Sequence, residues 1–193
     1  MIAQLVSWDH ELFFLINRSL ENGFFDFIMP WLREAKLWIP LYLFFIFLII
    51  RFKRKKSWVW IIGLLLAVGA SDYVASGIFK PAFERPRPCH HQNLKEEVIL
   101  RKHGGNCGGE FGFVSSHAAN HFAIALFICC LFGCSSRTWT SYALFVWAGL
   151  IAFAQVYVGV HFPADVFAGA LIGLFIAWLF FRIALFVEKR YLS

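Results

Sequence analysis

The segment LYLFFIFLIIRFKRKKSWVWIIGLLLAV, Leu41 to Val68, decides how the chain is built. Two apolar runs flank one short turn, and Arg51, Lys53, Arg54, Lys55 and Lys56 all fall within it. Apolar runs of this kind suit helices that cross a bilayer, and a dense basic connection between them marks a cytoplasmic loop. The composition agrees. Of 193 residues 60% are hydrophobic, with 24 Phe and 8 Trp, and only 16% are charged, far from the balance of a soluble globular chain. The formal net charge of +6 is therefore a topology signal, and no nucleic-acid partner is expected.

Working outward, five segments approach the ~20 residues a helix needs to span: 35–50, 58–79, 116–134, 139–158 and 163–187. Trp31, Trp38, Trp58 and Trp139 sit near their ends, where an amphipathic ring favours the headgroup layer. Residues 8–34 are different: apolar Leu12, Phe13, Ile16, Phe24 and Ile28 alternate with Asp9, Glu11, Arg18, Glu21 and Asp26, and Asn22-Gly23 interrupts the run. This pattern predicts amphipathic helices lying at the membrane surface. The expected fold is all-α, an integral membrane bundle of about five transmembrane helices with N-terminal interfacial helices, forming one domain over 1–193. The N-terminus lacks the features of a cleaved signal peptide, so Met1 is expected to begin the mature chain.

With the basic turn in the cytoplasm, parity carries the end of the second span, the start of the third and the end of the fourth to the outer face. Residues 80–115 then form an extracytoplasmic loop. Cys89 and Cys107 lie in it, facing an oxidising compartment, and are expected to form a disulfide. Cys129, Cys130 and Cys134 fall on the third span and are expected to act as small apolar packing residues.

The same parity gathers three polar stretches: KPAFERPRP (80–88), FVSSHAAN (113–120) and QVYVGVHFPAD (155–165). Lys80 and Arg87 offer fixed positive charge, on a segment that Pro81, Pro86 and Pro88 are expected to keep from being a regular helix. Ser115 and the amides around Ser116 offer donors. His117 opens the third span, and His121 follows one turn later on the same side. Asn120 lies between them. His121 on its own reads best as a histidine satisfied inside the bundle. A zinc site is not expected, because the neighbouring serines and asparagine are poor ligands. Pro163 suits a helix start, which puts Asp165 in the first turn, able either to cap the helix or to fix the tautomer of His161. Together these side chains supply a cationic cradle, a proton donor, a nucleophile and its orienter for phosphoryl transfer without a metal.

These three stretches resemble the three signature motifs of the type-2 phosphatidic acid phosphatase superfamily. The first, Lys-x6-Arg-Pro, is met by Lys80, Arg87 and Pro88. The second, Pro-Ser-Gly-His, falls on Val114, Ser115, Ser116 and His117, and the third, Ser-Arg-x5-His-x3-Asp, on Ala154, Gln155, His161 and Asp165. The resemblance implies a membrane helical bundle with its site at the outer surface, and a metal-independent lipid phosphatase or diphosphatase that needs no cofactor. It implies His161 as the nucleophile of a phosphohistidine, Asp165 as its orienter, His117 as the acid for the leaving oxygen, and Lys80, Arg87, Ser115 and Ser116 as the phosphate cradle. Val114 and Ser116 are mild departures. Gln155 is the serious one, because it can donate a hydrogen bond but brings no charge where the family has arginine. Arg85, Arg101 or Lys102 is expected to make up that charge, unless turnover is weakened.

The implied partners are a phosphorylated lipid and the bilayer. Undecaprenyl diphosphate is the preferred substrate on this reading, with lipid A phosphates, phosphatidylglycerol phosphate and phosphatidate as alternatives. The implied location is a bacterial inner membrane with the site facing the periplasm or exterior. A non-catalytic lipid-phosphate-binding homologue is the competing class. A vanadium-dependent haloperoxidase, which shares the motifs in soluble form, is a third class that the apolar spans argue against. The sequence says nothing about oligomeric state.

Overall fold

The computed structural model describes residues 2–102, 104–133 and 139–191, and among them the ordered elements are helical. Helix α1 is Ile2–Phe14, continued by a π-helical turn, Leu15–Ser19. Helix α2 is Gly23–Leu32, and Asn22 caps it by accepting from the Phe25 amide at 2.9 Å. The interruption seen in the sequence is thus a helix start. A 3-10 turn, Ala35–Trp38, leads into α3, Ile39–Lys53, and α4 is Ser57–Tyr73.

Among the described residues three helical stretches are long and apolar enough to cross a membrane: Ala35–Phe83, Trp139–Tyr157 and Pro163–Tyr191. The first turns back on itself at Arg54, whose φ is 50°. Phe45 and Ile49 of α3 then pack in one core with Val59, Trp60 and Leu64 of α4, and Lys53 sits 4.7 Å from the Trp60 ring centre. That makes an antiparallel pair joined by the basic turn.

Beyond Tyr73 the helical path continues through a π-helical turn, Val74–Phe79, into a short helix α5, Lys80–Phe83. This corrects the expectation that the prolines exclude helix here. Pro81 falls in the first turn of α5, where its missing N–H removes nothing. Glu84, left-handed at φ 46°, ends the helix, so Arg87 lies on extended backbone and does not share a helical face with Lys80.

The remaining helices are α6, Ser116–Leu131, α7, Trp139–Tyr157, and α8, Pro163–Tyr191. The last runs four residues past the predicted span. The predicted end of the third span at Cys134 lies outside the described residues. With 16 residues, α6 reaches about 24 Å at 1.5 Å per residue, short for a lipid-facing span. It is instead the central helix, packed by α4, α7 and α8, with Ala118, Ala119, Ala123, Ala125 and Phe127 fully buried. The approach of α8 is close because Gly173 has no side chain: a Cβ there would come within 2.0 Å of the Ala119 carbonyl oxygen.

Around this core the outer faces of α3, α4 and α8 expose Leu43, Phe47, Leu65, Leu66, Phe175 and Phe186. A soluble protein does not turn so much continuous apolar surface outward, and a membrane protein must. Trp38 departs from the expected headgroup position. It packs inward on Trp147 with ring centres 5.6 Å apart and donates to the Leu32 carbonyl at 2.8 Å. Cys129 is buried in the bundle.

The N-terminal segment is tied to the end of the bundle opposite the basic turn. Asn17, fully buried, donates to the Ile99 and Tyr157 carbonyls at 2.9 and 2.8 Å and accepts from the Ile99 amide. Asp26 accepts from the Tyr157 hydroxyl and pairs with Arg101, both at 2.6 Å.

Candidate active site

The 80–115 loop is stitched at its base. Arg87 donates its amide to the Glu110 carbonyl at 3.0 Å, Gly112 to the Arg85 carbonyl at 2.8 Å, and Pro86 faces Phe111 across an antiparallel bridge. Cys89 and Cys107 are joined by a disulfide with Cα atoms 6.3 Å apart. The first polar stretch is thereby held against the approach to α6.

Ser115 is the N-cap of α6, its hydroxyl accepting from the Ala118 amide at 3.4 Å. Its own amide donates to the Asp165 carbonyl at 3.0 Å, which joins the second stretch to the third. Lys80 reaches the same place from the start of α5 and donates to the Ser116 hydroxyl at 3.1 Å. Ser76 lies 2.8 Å from that hydroxyl.

Asp165 has no exposed surface. One carboxylate oxygen accepts from the Phe162 amide at 2.9 Å, capping α8, and lies 3.4 Å from His161 Nδ1. Capping and orienting, alternatives in the sequence, are both met by one oxygen. The contact assigns the His161 proton to Nδ1 and leaves Nε2 with its lone pair. Burial pushes the His161 pKa down to about 4; Asp165 opposes this, while Arg87 and Lys80 add to it. His161 is thus neutral and nucleophilic at neutral pH. Its neighbour Arg87 is also held below the usual guanidinium value, burial being the larger cause and Asp165 opposing. It remains a cation, because no guanidinium titrates in the working range.

The other carboxylate oxygen of Asp165 takes Arg85 at 2.7 Å. Arg85 also pairs with Asp9 of α1 at 2.5 Å and lies 4.4 Å above the Phe162 ring. Asp9 in turn accepts from the Ala164 amide at 2.8 Å. Arg85 is thus committed to two carboxylates. Arg101 is similarly committed, to Asp26 at 2.6 Å, Glu21 at 3.3 Å and the Asn17 carbonyl at 2.6 Å. Neither is available to replace the missing arginine. Lys102 accepts from the Gly105 amide through its carbonyl at 3.0 Å, no side-chain hydrogen bond of it is among those described, and its charge is felt alongside those of Arg33 and Arg87.

Gln155, fully buried, accepts instead from Arg33. Both Nε and Nη2 of that guanidinium donate to Gln155 Oε1 at 3.3 Å. Arg33 follows the end of α2 and is only 5% exposed. No motif marks it in the sequence. Its one signal there is a cation directly before an apolar run.

His121 is spoken for. Its Nδ1 donates to the His117 carbonyl at 2.7 Å, so Nε2 accepts from the Tyr42 hydroxyl at 2.8 Å. Asn120 donates to Asp72 at 3.0 Å, away from the cradle. His117 lines, with Ser116, a cavity of about 440 Å³ between α3, α4 and α6. Phe45, Leu65 and Val68 make its wall apolar, and Asp72 and Asn120 are its polar points. Among the described residues no cluster of three His, Cys, Asp or Glu is arranged to hold a metal ion.

His161 with its carboxylate partner, the cations Lys80 and Arg87, and a second histidine facing an apolar cavity thus lie together at one end of a bundle with apolar outer faces. The chain belongs to the PAP2 superfamily, whose family model matches residues 61–188, and it is an integral membrane lipid phosphatase. It is 31% identical over 185 residues to a lipid A 4'-phosphatase of Bacteroides thetaiotaomicron, covering 95% of this chain and 80% of that one. It is 32% identical over 190 residues to a lipid A 4'-phosphatase of Porphyromonas gingivalis, covering 96% and 76%. A more distant relative, 28% identical over 91% of this chain and 78% of its own, is an undecaprenyl-diphosphatase of Sulfolobus acidocaldarius. Among solved structures it resembles Aquifex aeolicus LpxE, at TM-score 0.64 and 27% identity over 89% of this chain and 93% of that one. A PAP2-type phosphatidylglycerolphosphate phosphatase from Bacillus subtilis shares the fold at TM-score 0.71 and 20% identity, covering 97% and 89%.

Proposed function

We propose that this phosphatase removes a phosphate monoester from a lipid headgroup through a phosphohistidine at His161, and that the lipid is of the lipid A class. The observation that carries the chemistry is His161, held by Asp165 with Nε2 free beside Lys80 and Arg87. In the first step Nε2 forms a bond to phosphorus, the ester P–O bond breaks, and His117 gives its proton to the leaving lipid oxygen. Lys80, Arg87, Ser115 and the Ser116 amide hold the phosphoryl oxygens as charge develops on them. In the second step water attacks phosphorus, His117 takes its proton, and the P–N bond breaks. Phosphate leaves and neutral His161 is restored.

The lipid class rests on the two relatives named as lipid A 4'-phosphatases, which align over 95% and 96% of this chain. The cavity beside His117 supports it. Asp72 and Asn120 set hydrogen-bonding groups in an apolar wall, useful for the hydroxyl and amide groups of a saccharolipid and idle against an isoprenyl chain. Undecaprenyl diphosphate, preferred from the sequence, is kept as the second reading because a relative of that activity aligns over 91% of the chain. The basic turn at 51–56 supports a site on the extracytoplasmic side of a bacterial inner membrane, and the amphipathic pattern of residues 8–34 supports their lying at its surface.

Phosphate release from lipid A, undecaprenyl diphosphate, phosphatidylglycerol phosphate and phosphatidate, assayed side by side on the purified chain, tests the proposal. Lipid A is expected to give the highest kcat/KM. A tenfold or greater preference for undecaprenyl diphosphate overturns the substrate assignment.

A further inference from the structure

Position 155 lacks the arginine of the family motif, and a guanidinium from outside the motifs, that of Arg33, meets the glutamine there. We propose that Arg33 is the third phosphate-binding cation of this enzyme, with Gln155 as the residue that positions it.

Three donors near this pair are unspent. Arg33 Nη1, Gln155 Nε2 and Arg87 Nε are all buried and without a hydrogen-bond partner. A buried donor left unpaired is costly, and three of them together, two on guanidinium groups, describe a place an anion fills. They belong to one locality. Arg33 and Gln155 are hydrogen-bonded, the charge of Arg87 acts on Arg33, and the charge of Arg33 acts on His117.

The neutralisation of Arg33 is also incomplete. Its protein acceptors are one neutral amide oxygen and Glu34, whose carboxylate lies 3.5 Å from Nη1 without hydrogen-bond geometry and is itself 39% exposed. Burial is the main influence lowering the Arg33 pKa, with Glu34 opposing and Arg87 adding to it. Such a buried guanidinium is suited to an arriving dianion, which restores the balance of charge. Gln155 explains the geometry. Its Oε1 takes Nε and Nη2, which fixes the plane of the fork and leaves Nη1 for a phosphoryl oxygen. Its own Nε2 remains as a neutral donor to the same group. Glutamine at 155 thus follows from where the arginine now is: a second arginine there would face Arg33 across the site. The placement also makes the segment before the first span, tied down through Asn17, Asp26 and Asp9, part of the catalytic unit.

This inference rests on the proposed phosphatase reading, and its test separates the two. Affinity for inorganic phosphate, read as thermal stabilisation of the detergent-solubilised full chain, is measured with turnover on the best lipid substrate. The proteins are wild type, Arg33→Gln, Arg33→Lys and the double exchange Arg33→Gln with Gln155→Arg. Loss of one such charged donor costs about 100-fold in kcat, so Arg33→Gln is expected to lose about that much and to bind phosphate at least tenfold more weakly. Arg33→Lys should retain an intermediate level. The double exchange should regain at least tenfold in both readouts, since it returns the cation to the family position. Arg33→Gln within threefold of wild type overturns the inference. So does loss in Arg33→Gln that the exchange fails to repair, because a merely structural role of Arg33 has no use for an arginine at 155. If wild type binds phosphate but releases none from any lipid phosphate, the phosphatase reading fails, while the phosphate-affinity comparison still decides the role of Arg33.

Discussion

Replacing Arg85 by Met removes the cation that holds Asp165 from behind. The structure predicts a catalytic defect although Arg85 does not reach the cradle. Its guanidinium lies 2.7 Å from one Asp165 oxygen, and the other oxygen orients His161. Two unit charges about 4 Å apart interact by about 4 kcal/mol at an effective dielectric of 20. Arg85 is 23% exposed and shared with Asp9, so water and the second carboxylate take part of this. The remainder is near the ~1.5–3 kcal/mol of a charge-assisted hydrogen bond, equivalent to roughly 10- to 150-fold in rate.

The sign of the pH effect follows as well. Without Arg85 the Asp165 charge is less compensated and stabilises protonated His161 more strongly. The His161 pKa therefore rises from about 4, and the acid limb of kcat/KM moves to higher pH. The assay is kcat and KM for phosphate release in micelles between pH 4 and 8. The expected result is kcat lowered within that range, KM within threefold, and the limb displaced upward. A kcat within twofold of wild type with an unmoved limb refutes the reasoning.

For wild type, burial of His161 predicts that the acid limb of kcat/KM lies well below the 6.5 of a free imidazole, after correction for the second ionisation of the phosphate near 6; a limb at or above 6.5 contradicts the burial argument. Excess EDTA should leave the rate unchanged, since cations and histidines supply the charge and the proton, and strict dependence on added magnesium or zinc would sink this mechanism. Gly173→Leu forces a side chain into the Ala119 carbonyl. Overpacking of this kind costs about 1–3 kcal/mol or more, so a lower unfolding temperature is expected, and an unchanged one would mean that α6 and α8 do not approach as described.

The helical bundle was legible because apolar length and the basic turn at 51–56 are one-dimensional signals that the bilayer itself imposes. The three polar stretches were legible because each is short and its spacing is kept within a few residues. What escaped was long-range pairing. Arg33 meets Gln155 across 122 positions, and Asp9 reaches Arg85 across 76; neither partner has a periodicity or spacing that announces the other. Arg85 and Arg101 looked like substitutes for the missing charge because sequence shows cations and hides the carboxylates that occupy them. Pro81 misled for a local reason: a proline that stops a helix interior is tolerated in a first turn, and the break falls instead at Glu84.

The central claim is that His161 carries the phosphoryl group. The direct measurement is acid-labile, base-stable phosphoenzyme trapped by rapid quench during turnover of radiolabelled lipid phosphate, followed by peptide mapping. Label is expected on His161, and none in His161→Ala, which should stay folded and lose turnover. Label on a different residue, or near-wild-type phosphate release by His161→Ala, would contradict it.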